Sequence, residues 1–449
     1  MAVDNAQALD SEISEIVVVG LGYVGMTMTA HLLDRGFKVY GVEIRDEILD
    51  KLKFGKSYFH EPGLENILSR YLNTENFRFG KVIPKNTSKR LFMITVGTPL
   101  NKHKDVNLDL IINASKQVAA QLKNGDLVVL RSTVKVGTTD EIVEPILTST
   151  NVRFGLAYCP ERTLEGAALK ELGYLPQIIG ANTKAVANEL LGFFSRLTDS
   201  VVVVANTKTA EIIKLTDNMQ RDAIFAVSNH VADVCNINGV RAKEVIHLGN
   251  LGYSRNKLFN PGPVGGPCLE KDSYIFSESL PISQRSSSLA LVARKVNEDI
   301  LSNAIGFIMK MIDSKIRNDA IIIAILGMAF KGVPETDDLR GSPSVDLIEQ
   351  LQEISTSIII RSWDPLIKES NISGVKQYEN IDEAITGSDA VILMNNHEIL
   401  GKLDLHDISK KLNKNAVIYD FWDRYDPLQS LNNSVKYFAW GYHSIGLSK

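Results

Sequence analysis

Short apolar runs recur along the first half of the chain, and most are separated by stretches of helical length. Residues 16–20 form a β-branched run that ends in glycine; a helical pattern follows through Leu33, and then a second apolar run, Val39–Val42. This order predicts a βαβ unit. Continued alternation predicts a doubly wound, largely parallel sheet. Further strands are predicted at residues 91–96, 127–130, 154–158, 177–179 and 201–204.

Long helical patterns replace this alternation at residues 207–311, interrupted by a Gly/Pro-rich stretch at 260–267. A second α/β alternation follows, with strands predicted at residues 321–326, 357–361, 390–394, 416–419 and 437–440. The fold class predicted is therefore α/β, with two Rossmann-like doubly wound domains joined by a long helical segment. The predicted parts are a loose, disordered polar tail at residues 1–13, an N-terminal Rossmann-like domain at 14–206, the helical segment at 207–311 and a C-terminal Rossmann-like domain at 312–449.

Composition narrows the classes of function. The 449 residues are 44% hydrophobic and 23% charged, which suits two or three folded domains. The net charge of −4 and the lack of a basic stripe argue against a nucleic-acid partner. The longest apolar run, residues 320–330, is too short for a membrane span, and no Lys or Arg precedes Arg35, so neither a membrane partner nor a secretory signal is expected. Three cysteines, an odd number, favour a reducing, cytoplasmic location.

A dinucleotide motif follows the first predicted strand. Gly20-Leu-Gly22-Tyr23-Val24-Gly25 fits G-x-G-x-x-G, in which the glycines allow a tight turn, close approach of a pyrophosphate and close helix packing. Glu43 closes the second strand, where a carboxylate accepts hydrogen bonds from a ribose and repels a 2′-phosphate. The motif predicts NAD rather than NADP, although Arg45 lies nearby. A Gly-rich turn without a ligand is the structural alternative.

Another chemically informative segment is residues 260–272. Its prolines and glycines predict a rigid irregular loop that presents the thiol of Cys268, with the Asp272 carboxylate four residues later. A buried structural cysteine is the alternative. Lys214 and Asn218 share one face of a predicted helix and could stabilise an oxyanion, whereas a solvated lysine is the simpler interpretation. Glu161 places a carboxylate just beyond a strand, where it could be only a turn residue.

Taken together, these residues resemble those of the UDP-glucose/GDP-mannose dehydrogenase family, and the match runs in order from about Ile16 to beyond Arg340. The matching landmarks are Gly20 to Gly25, Glu61-Pro-Gly-Leu64, Val96-Gly-Thr98-Pro99, Ser132-Thr133-Val, Cys159-Pro-Glu161, Glu165-Gly, Lys214 with Asn218, Gly265-Gly-Pro-Cys268 with Asp272, Phe330-Lys331 and Thr336-Asp-Asp-Leu-Arg340.

The resemblance implies a four-electron oxidation of the C6 alcohol of a UDP-sugar, with two NAD and a thioester on Cys268. It implies that Lys214 and Asn218 stabilise the oxygen of the tetrahedral stages, while Glu161 and Asp272 manage protons and water. It implies a homodimer, in which Arg255 reaches the partner's site, and no metal. Cofactor contacts are implied for Thr98, Pro99, Thr133, Glu165 and Arg340, and substrate contacts for Gly265, Lys331 and, on a looser match, Arg424.

The identity of the sugar is predicted from two arginines near the predicted catalytic residues. Cys159-Pro-Glu161-Arg162, with Arg221 three residues after Asn218, resembles the UDP-N-acetylhexosamine branch, which feeds surface polysaccharide biosynthesis. UDP-N-acetylmannosamine or UDP-N-acetylglucosamine is therefore expected, with UDP-glucose as the alternative. Pro267 and Leu269 depart from the family's usual residues beside the cysteine, so the sugar pocket is expected to differ in shape.

The sequence leaves two other functions open. A two-electron hydroxy-acid or hydroxyacyl dehydrogenase shares the Rossmann half and the helical connector but does not require a thiol loop, so Cys268 with Asp272 argues against it. An NAD-binding regulator that has lost catalysis is a non-enzymatic alternative, and its mark would be NAD binding without turnover of any UDP-sugar.

Overall fold

The computed structural model describes residues 13–312, 320–369, 371–426, 431–432 and 434–443. The chain divides into two compact units, and the division falls inside one long helix, between Thr216 and Asp217. The first unit holds the chain up to Thr216 together with Tyr274–Ser279, and the second holds the rest. Apart from residue 13, the predicted polar tail lies outside the described residues.

The first unit is built on an eight-stranded sheet in the order β3-β2-β1-β4-β5-β6-β7-β8, parallel except for the antiparallel pair β6 and β7. All the strands predicted for this region are confirmed, and β3 is an additional one. The strands are β1 Glu15–Val19, β2 Val39–Val42, β3 Phe77–Gly80, β4 Arg90–Ile94, β5 Asp126–Leu130, β6 Phe154–Tyr158, β7 Gln177–Ala181 and β8 Val201–Val203.

Helices cover both faces of this sheet. In β1, Ile16 and Val18 pack into one hydrophobic cluster and Val17 and Val19 into another, so the strand is apolar without alternation because both of its faces are buried. The helices are α1 Tyr23–Asp34, α2 Asp46–Leu52, α3 Leu64–Tyr71, α4 Asp109–Ala119, α5 Glu144–Thr148, α6 Ala168–Glu171 and α7 Lys184–Phe194, with a π-helical turn, Thr139–Val143, before α5.

A helical segment follows, as predicted, and its long first helix joins the two α/β sheets. Its helices are α8 Thr207–Asn238, α9 Ala242–Asn250, α10 Leu269–Glu278, α11 Ile282–Arg285 and α12 Leu289–Ile312. The division into units cuts through α8 and assigns the end of α10 to the first unit. The domain boundaries given above, at residues 14–206, 207–311 and 312–449, stay predictions.

The second sheet has six parallel strands in the order β11-β10-β9-β12-β13-β14. By sequence order this is 3-2-1-4-5-6, the same order as the first six strands of the first sheet, and the predicted pair of Rossmann-like domains is confirmed. β11 was not predicted. The elements are β9 Ile321–Leu326, α13 Pro343–Ile354, β10 Ile358–Trp363, β11 Val375–Gln377, α14 Ile381–Ile385, β12 Ala390–Leu393, α15 Leu405–Lys411, β13 Val417–Asp420 and β14 Lys436–Ala439.

This topology indicates where ligands bind. In open α/β sheets, ligands occupy the crevice at the carboxyl ends of the strands, where the strand order reverses. That point lies between β1 and β4 in the first sheet and between β9 and β12 in the second. No helix in the described ranges is both long and apolar enough to cross a membrane.

Candidate active site

The glycine motif forms the turn between β1 and α1, at the reversal point of the first sheet. Gly20 has φ +94°, and a Cβ added to Gly25 would lie 1.9 Å from the Gly20 carbonyl oxygen, so no other residue fits at Gly25 without moving the turn. α1 begins at Tyr23 and presents its free N–H groups and positive dipole end at this turn. The turn therefore has the geometry that a dinucleotide pyrophosphate requires.

Glu43 lies just beyond β2 and braces this turn. One of its carboxylate oxygens accepts the backbone N–H of Leu21 at 3.1 Å. The carboxylate also accepts hydrogen bonds at 3.2 Å from the guanidinium of Arg45, which lies over the ring of Tyr58. The predicted ribose acceptor is thus paired with the nearby arginine, whose charge partly offsets the repulsion that Glu43 would exert on a 2′-phosphate.

Tyr23 links the glycine turn to the loop that carries Glu165. Its hydroxyl donates to Glu61 and accepts the N–H of Gly166, and the same Glu61 carboxylate accepts that N–H at 2.8 Å. Burial, the hydrogen bond to Glu61 and the charges of Glu61 and Glu165 hold the pKa of Tyr23 well above its ordinary value. Tyr23 therefore stays a neutral hydrogen-bonding link between the two loops.

Thr98 and Thr133 lie on the loops after β4 and β5, at the carboxyl end of the first sheet. Thr98 is buried and its hydroxyl donates to the backbone carbonyl of Thr133 at 2.6 Å. Its side chain therefore joins the two loops, while Pro99 next to it is exposed.

Glu161 follows β6 and is buried together with Arg131. Its Oε2 accepts from the Arg131 guanidinium at 2.6 Å, and its Oε1 accepts the backbone N–H groups of Arg162 and Thr163. Burial alone would raise the pKa of Glu161, but Arg131 and the two N–H groups outweigh burial and hold that pKa below its ordinary value. Arg131 and Glu161 line a cavity together with Gln177. Glu161 is thus a fixed carboxylate with both oxygens engaged.

Cysteine exposure separates the three thiols. Cys159 and Cys235 are buried, and burial raises the pKa of Cys159 to about 12 and also raises that of Cys235, so both thiols are inert. Cys268 is exposed. Its carbonyl accepts the N–H of Asp272 at 2.9 Å and so begins the first turn of α10, whose positive end favours a negative charge nearby. The exposed thiol is therefore the one predicted to act chemically.

Asp272, close to this thiol in sequence, accepts hydrogen bonds from two polar side chains. Its fully buried carboxylate accepts from the Asn218 amide at 2.5 Å and from the Lys271 ammonium at 2.8 Å. Burial lowers the pKa of Lys271, but the charges of Asp272 and Cys268 outweigh burial and hold the pKa of that ammonium above its ordinary value. In the second unit, the structure thus brings together Cys268, Asp272 and Asn218, as predicted, and adds Lys271.

The glycines before Cys268 pack against the chain that follows β9. The N–H of Gly266 donates to the carbonyl of Gly341 at 2.7 Å. Gly266 has φ +96°, and an added Cβ would lie 2.5 Å from the ring of Phe330. A Cβ on Gly265 would likewise meet the carbonyl oxygen of Gly341, at 2.3 Å. The thiol loop therefore depends on glycine at both positions.

The remaining predicted residues are described by their burial and their nearest polar or aromatic neighbours. Lys214 is a buried residue of the first unit, on α8 one turn before Asn218. Arg340 makes an ion pair with Asp338. Arg424 donates to the carbonyls of Asn395 and His397, so it braces the loop after β12 at the reversal point of the second sheet. Lys331 lies over Phe330, and Arg221 and Arg255 are exposed.

The sequence assigned no role to several charged and polar residues that hold these groups, although Glu61 is among the matching landmarks: Glu61, Arg131, Asp222, Asn229, Lys271, Arg294 and Asn297. A usable signal was present for two of them. Arg131 ends an apolar strand, and Arg294 lies in the apolar stripe of α12, where an unpaired charge would be costly. In the described ranges, no group of three or more His, Cys, Asp or Glu side chains could hold a metal ion.

Comparison with known proteins agrees with this geometry. Models of the UDP-glucose/GDP-mannose dehydrogenase family match the NAD binding domain at residues 14–198, the central domain at 208–299 and the UDP binding domain at 324–427. UDP-N-acetyl-D-mannosamine dehydrogenase of Campylobacter jejuni is 31% identical over 409 residues, which cover 86% of this chain and 96% of the relative. NDP-N-acetyl-D-galactosaminuronic acid dehydrogenase of Ralstonia nicotianae is 30% identical over 422 residues, covering 90% and 96%.

Among solved structures, the chain resembles that of UDP-D-ManNAc dehydrogenase from Pyrococcus horikoshii, with a TM-score of 0.84 and 28% identity over 96% of this chain and 100% of that one. Two Rossmann-like sheets, with a glycine turn at the reversal point of the first, are typical of an NAD-dependent dehydrogenase. The chain belongs to the UDP-glucose/GDP-mannose dehydrogenase family. It is an NAD-dependent UDP-sugar dehydrogenase, and the predicted resemblance and cofactor are confirmed.

Proposed function

We propose that this enzyme oxidises the C6 alcohol of a UDP-N-acetylhexosamine, UDP-N-acetylmannosamine before UDP-N-acetylglucosamine, to a carboxylate through a thioester on Cys268. The observation that carries this proposal is the exposed thiol at the start of α10, beside the Asp272 carboxylate and the Lys271 ammonium. A two-electron dehydrogenase has no use for such a thiol. The product, a UDP-linked uronate, would serve surface polysaccharide biosynthesis.

The chemistry balances with two NAD. NAD accepts a hydride in each oxidation. In the first, the C6 alcohol loses a proton and a hydride and becomes an aldehyde. In the second, the Cys268 thiolate adds to the aldehyde carbon, and loss of a second hydride restores a carbonyl as the thioester. Water then adds to the thioester, the C–S bond breaks, and the carboxylate and the thiol are released.

The neighbours of Cys268 suit this sequence of charges. The Lys271 ammonium and the positive end of α10 stabilise a thiolate. Asn218 uses one amide N–H on Asp272, and an amide has a second N–H that can stabilise the tetrahedral oxyanion with the Lys214 ammonium. Asp272 is assigned proton transfer. Glu161, with both oxygens engaged, is assigned to orient water or substrate as a permanent acceptor.

The other predicted residues are assigned to binding of the cofactor or of the substrate. NAD is assigned to the glycine turn with Tyr23 and Val24 and to Glu43, Arg45, Thr98, Pro99, Thr133, Glu165 and Arg340. Substrate contacts are assigned to Gly265, Lys331 and Arg424. Arg424 acts through the loop that it braces, because its guanidinium donates to two backbone carbonyls there.

The N-acetylated sugar is supported by the two relatives described above, which are named as dehydrogenases of N-acetylated sugars. Arg162 and Arg221 are assigned to the acetamido group or the diphosphate, because guanidinium groups offer several donors in a fixed geometry. Cys159 cannot contribute by contact, since it is fully buried.

A homodimer is proposed for the active unit. Side chains of α8, α9 and the loop after α9 expose a concentration of apolar surface that a second copy would cover. Arg255 is exposed in the same loop, which agrees with the proposal that it contributes to the site of a second copy. The exposed apolar residues are Val227, Val234, Ile237, Val240, Val245, Leu248, Leu251, Tyr253 and Phe259.

The test is a panel of UDP-glucose, UDP-galactose, UDP-N-acetylglucosamine, UDP-N-acetylgalactosamine and UDP-N-acetylmannosamine, with NADH and acid measured for each. An N-acetylated sugar should give the highest kcat/KM, because a site built to bond an acetamido group leaves donors unpaired when that group is missing. Two NADH should appear for each acid. A preference of about tenfold or more for UDP-glucose, worth about 1.4 kcal/mol, would contradict the sugar and leave the reaction standing.

A further inference from the structure

A buried arginine donates hydrogen bonds to the backbone of the thiol loop on both sides of Cys268. Arg294 of α12 is 3% exposed, and its guanidinium donates to the carbonyl of Val264 at 3.0 Å and to that of Leu269 at 3.2 Å. These two carbonyls flank the segment from Gly265 to Cys268. The planar fork of an arginine can reach two acceptors at once, which an ammonium cannot do in the same way.

Asp222 connects this arginine to the polar groups around the thiol. Its fully buried carboxylate lies 3.1 Å from the Arg294 guanidinium and accepts from the hydroxyl of Ser273 at 2.8 Å. Asp222 lies one helical turn after Asn218 on α8, and Ser273 directly follows Asp272 on α10. The ion pair therefore ties together the loop and the two helices that carry Asn218 and Asp272.

Two asparagines complete the network. The side-chain amide of Asn229 accepts the N–H of Gly262 at 2.9 Å and donates to the carbonyl of the same residue at 3.1 Å. Asn229 also donates to Asn297 at 2.9 Å, and Asn297 in turn donates to the Asp222 carboxylate at 2.7 Å. The loop is thus held at Gly262, Val264 and Leu269 by one set of bonded side chains.

Stability alone does not explain this arrangement. A buried ion pair often stabilises a fold no better than apolar side chains of the same size would, because desolvation offsets the attraction. What the pair does provide is a defined geometry, since its donors point at particular carbonyls of the thiol loop. Asp222, Asn229, Arg294 and Asn297 are all at most 3% exposed, so none of them offers a surface to a ligand.

We propose that Arg294, paired with Asp222, is a positioning residue that fixes the Cys268 thiol relative to Asn218 and Asp272 and thereby sets the rate of the second oxidation. This inference rests on the proposed role of Cys268. The first oxidation needs only the alcohol, a base and NAD, whereas the second also needs the thiol to meet the aldehyde carbon. A displacement of about 1 Å at a reacting group can cost about 10²-fold in rate. Loosening the loop therefore slows the second hydride transfer selectively.

The experiment compares Arg294→Lys with Lys295→Met in single-turnover reactions with a good UDP-sugar substrate and excess NAD. Lys295 is the matched control, because it is the next residue of α12 but is exposed and pairs with Asp299. In Arg294→Lys, the first NADH phase should stay within about threefold of the unmodified enzyme, while the second slows by about 10²-fold and KM for the UDP-sugar changes little. Alkylation of Cys268 by iodoacetamide should also change in rate. Lys295→Met should match the unmodified enzyme in every measurement.

A second variant, Asn229→Asp, keeps the test decisive if Arg294→Lys does not fold. It keeps the acceptor for the Gly262 N–H and loses the two hydrogen bonds that the amide donates, to the Gly262 carbonyl and to Asn297, while Arg294 stays in place. It should therefore slow the second phase in the same direction but less. Equal slowing of both phases, or an unchanged ratio of phases in a folded Arg294→Lys protein, overturns the positioning role. A second phase that survives in Cys268→Ala overturns the proposed function itself, whatever Arg294→Lys does.

Discussion

Arg131 donates a hydrogen bond of 2.6 Å to Glu161, and both side chains are buried within the first unit. The pair fixes the ionisation of a carboxylate that the family resemblance assigns to the site. Because the pKa of Glu161 is lowered, the pair contributes its full stability above the ordinary carboxylate pKa and loses it as pH falls through the lowered value. Glu161 therefore remains an ionised acceptor near neutral pH.

Arg131→Met should lower the free energy of unfolding near neutral pH by about 3–5 kcal/mol, because it leaves a buried carboxylate without its cation. The deficit relative to the unmodified protein should shrink at about pH 5, since the uncompensated carboxylate can then be protonated. Urea unfolding at the two pH values measures this. The double variant Arg131→Met/Glu161→Gln has no carboxylate at residue 161, so this shrinkage of the deficit at about pH 5 should disappear. A deficit equal at both pH values would mean that Arg131 acts only by packing.

Glu43→Ala should weaken NAD binding by about tenfold, because a charged acceptor is lost, and should narrow the preference for NAD over NADP. The loss of preference for NAD over NADP should be large, since the variant also releases Arg45 from its ion pair and leaves a cation beside the ribose position. The measurement is kcat/KM for each dinucleotide. The double variant Glu43→Ala/Arg45→Ala is the control and should lose the gain with NADP. Equal use of NAD and NADP by the unmodified enzyme would contradict the role given to Glu43.

Arg255→Ala should abolish most activity if this residue completes the site of a partner. Mixing it with the inactive Cys268→Ala protein should restore activity, because a mixed dimer regains one intact site. Up to about a quarter of full activity is expected from random exchange at equal amounts, when half of the dimers are mixed and each has one working site. Subunit exchange is followed with differently tagged proteins. Exchange without any recovery would place Arg255 in the site of its own subunit.

Much of the fold was predictable because most strands are continuous apolar runs buried on both faces. The missed strands, β3 and β11, are short edge strands with charged or polar residues, Phe77-Arg-Phe-Gly and Val375-Lys-Gln, so their pattern is weak. The antiparallel direction of β7 was also beyond prediction, because side-chain periodicity is the same in either direction.

The candidate site was predictable where a residue carries its chemistry in a local motif, as Gly25 and Cys268 do. Residues that act through distant partners gave little signal. Arg131 meets Glu161 thirty positions along the chain, and Arg294 meets Asp222 from a separate helix. A charge inside an apolar pattern marks such a residue as buried, but only the folded structure identifies its partner.

The most direct test of the central claim is the yield of NADH and acid from Cys268→Ala, beside Cys159→Ala and Cys235→Ala. The thiol is needed for the second oxidation rather than for holding ligands, so Cys268→Ala should keep NAD and UDP-sugar binding and lose acid formation by about 10³-fold or more. At most one NADH should then form for each sugar consumed, whereas the two buried-cysteine variants should still give two. Acid production by Cys268→Ala at a rate comparable to that of the unmodified enzyme would contradict the thioester mechanism.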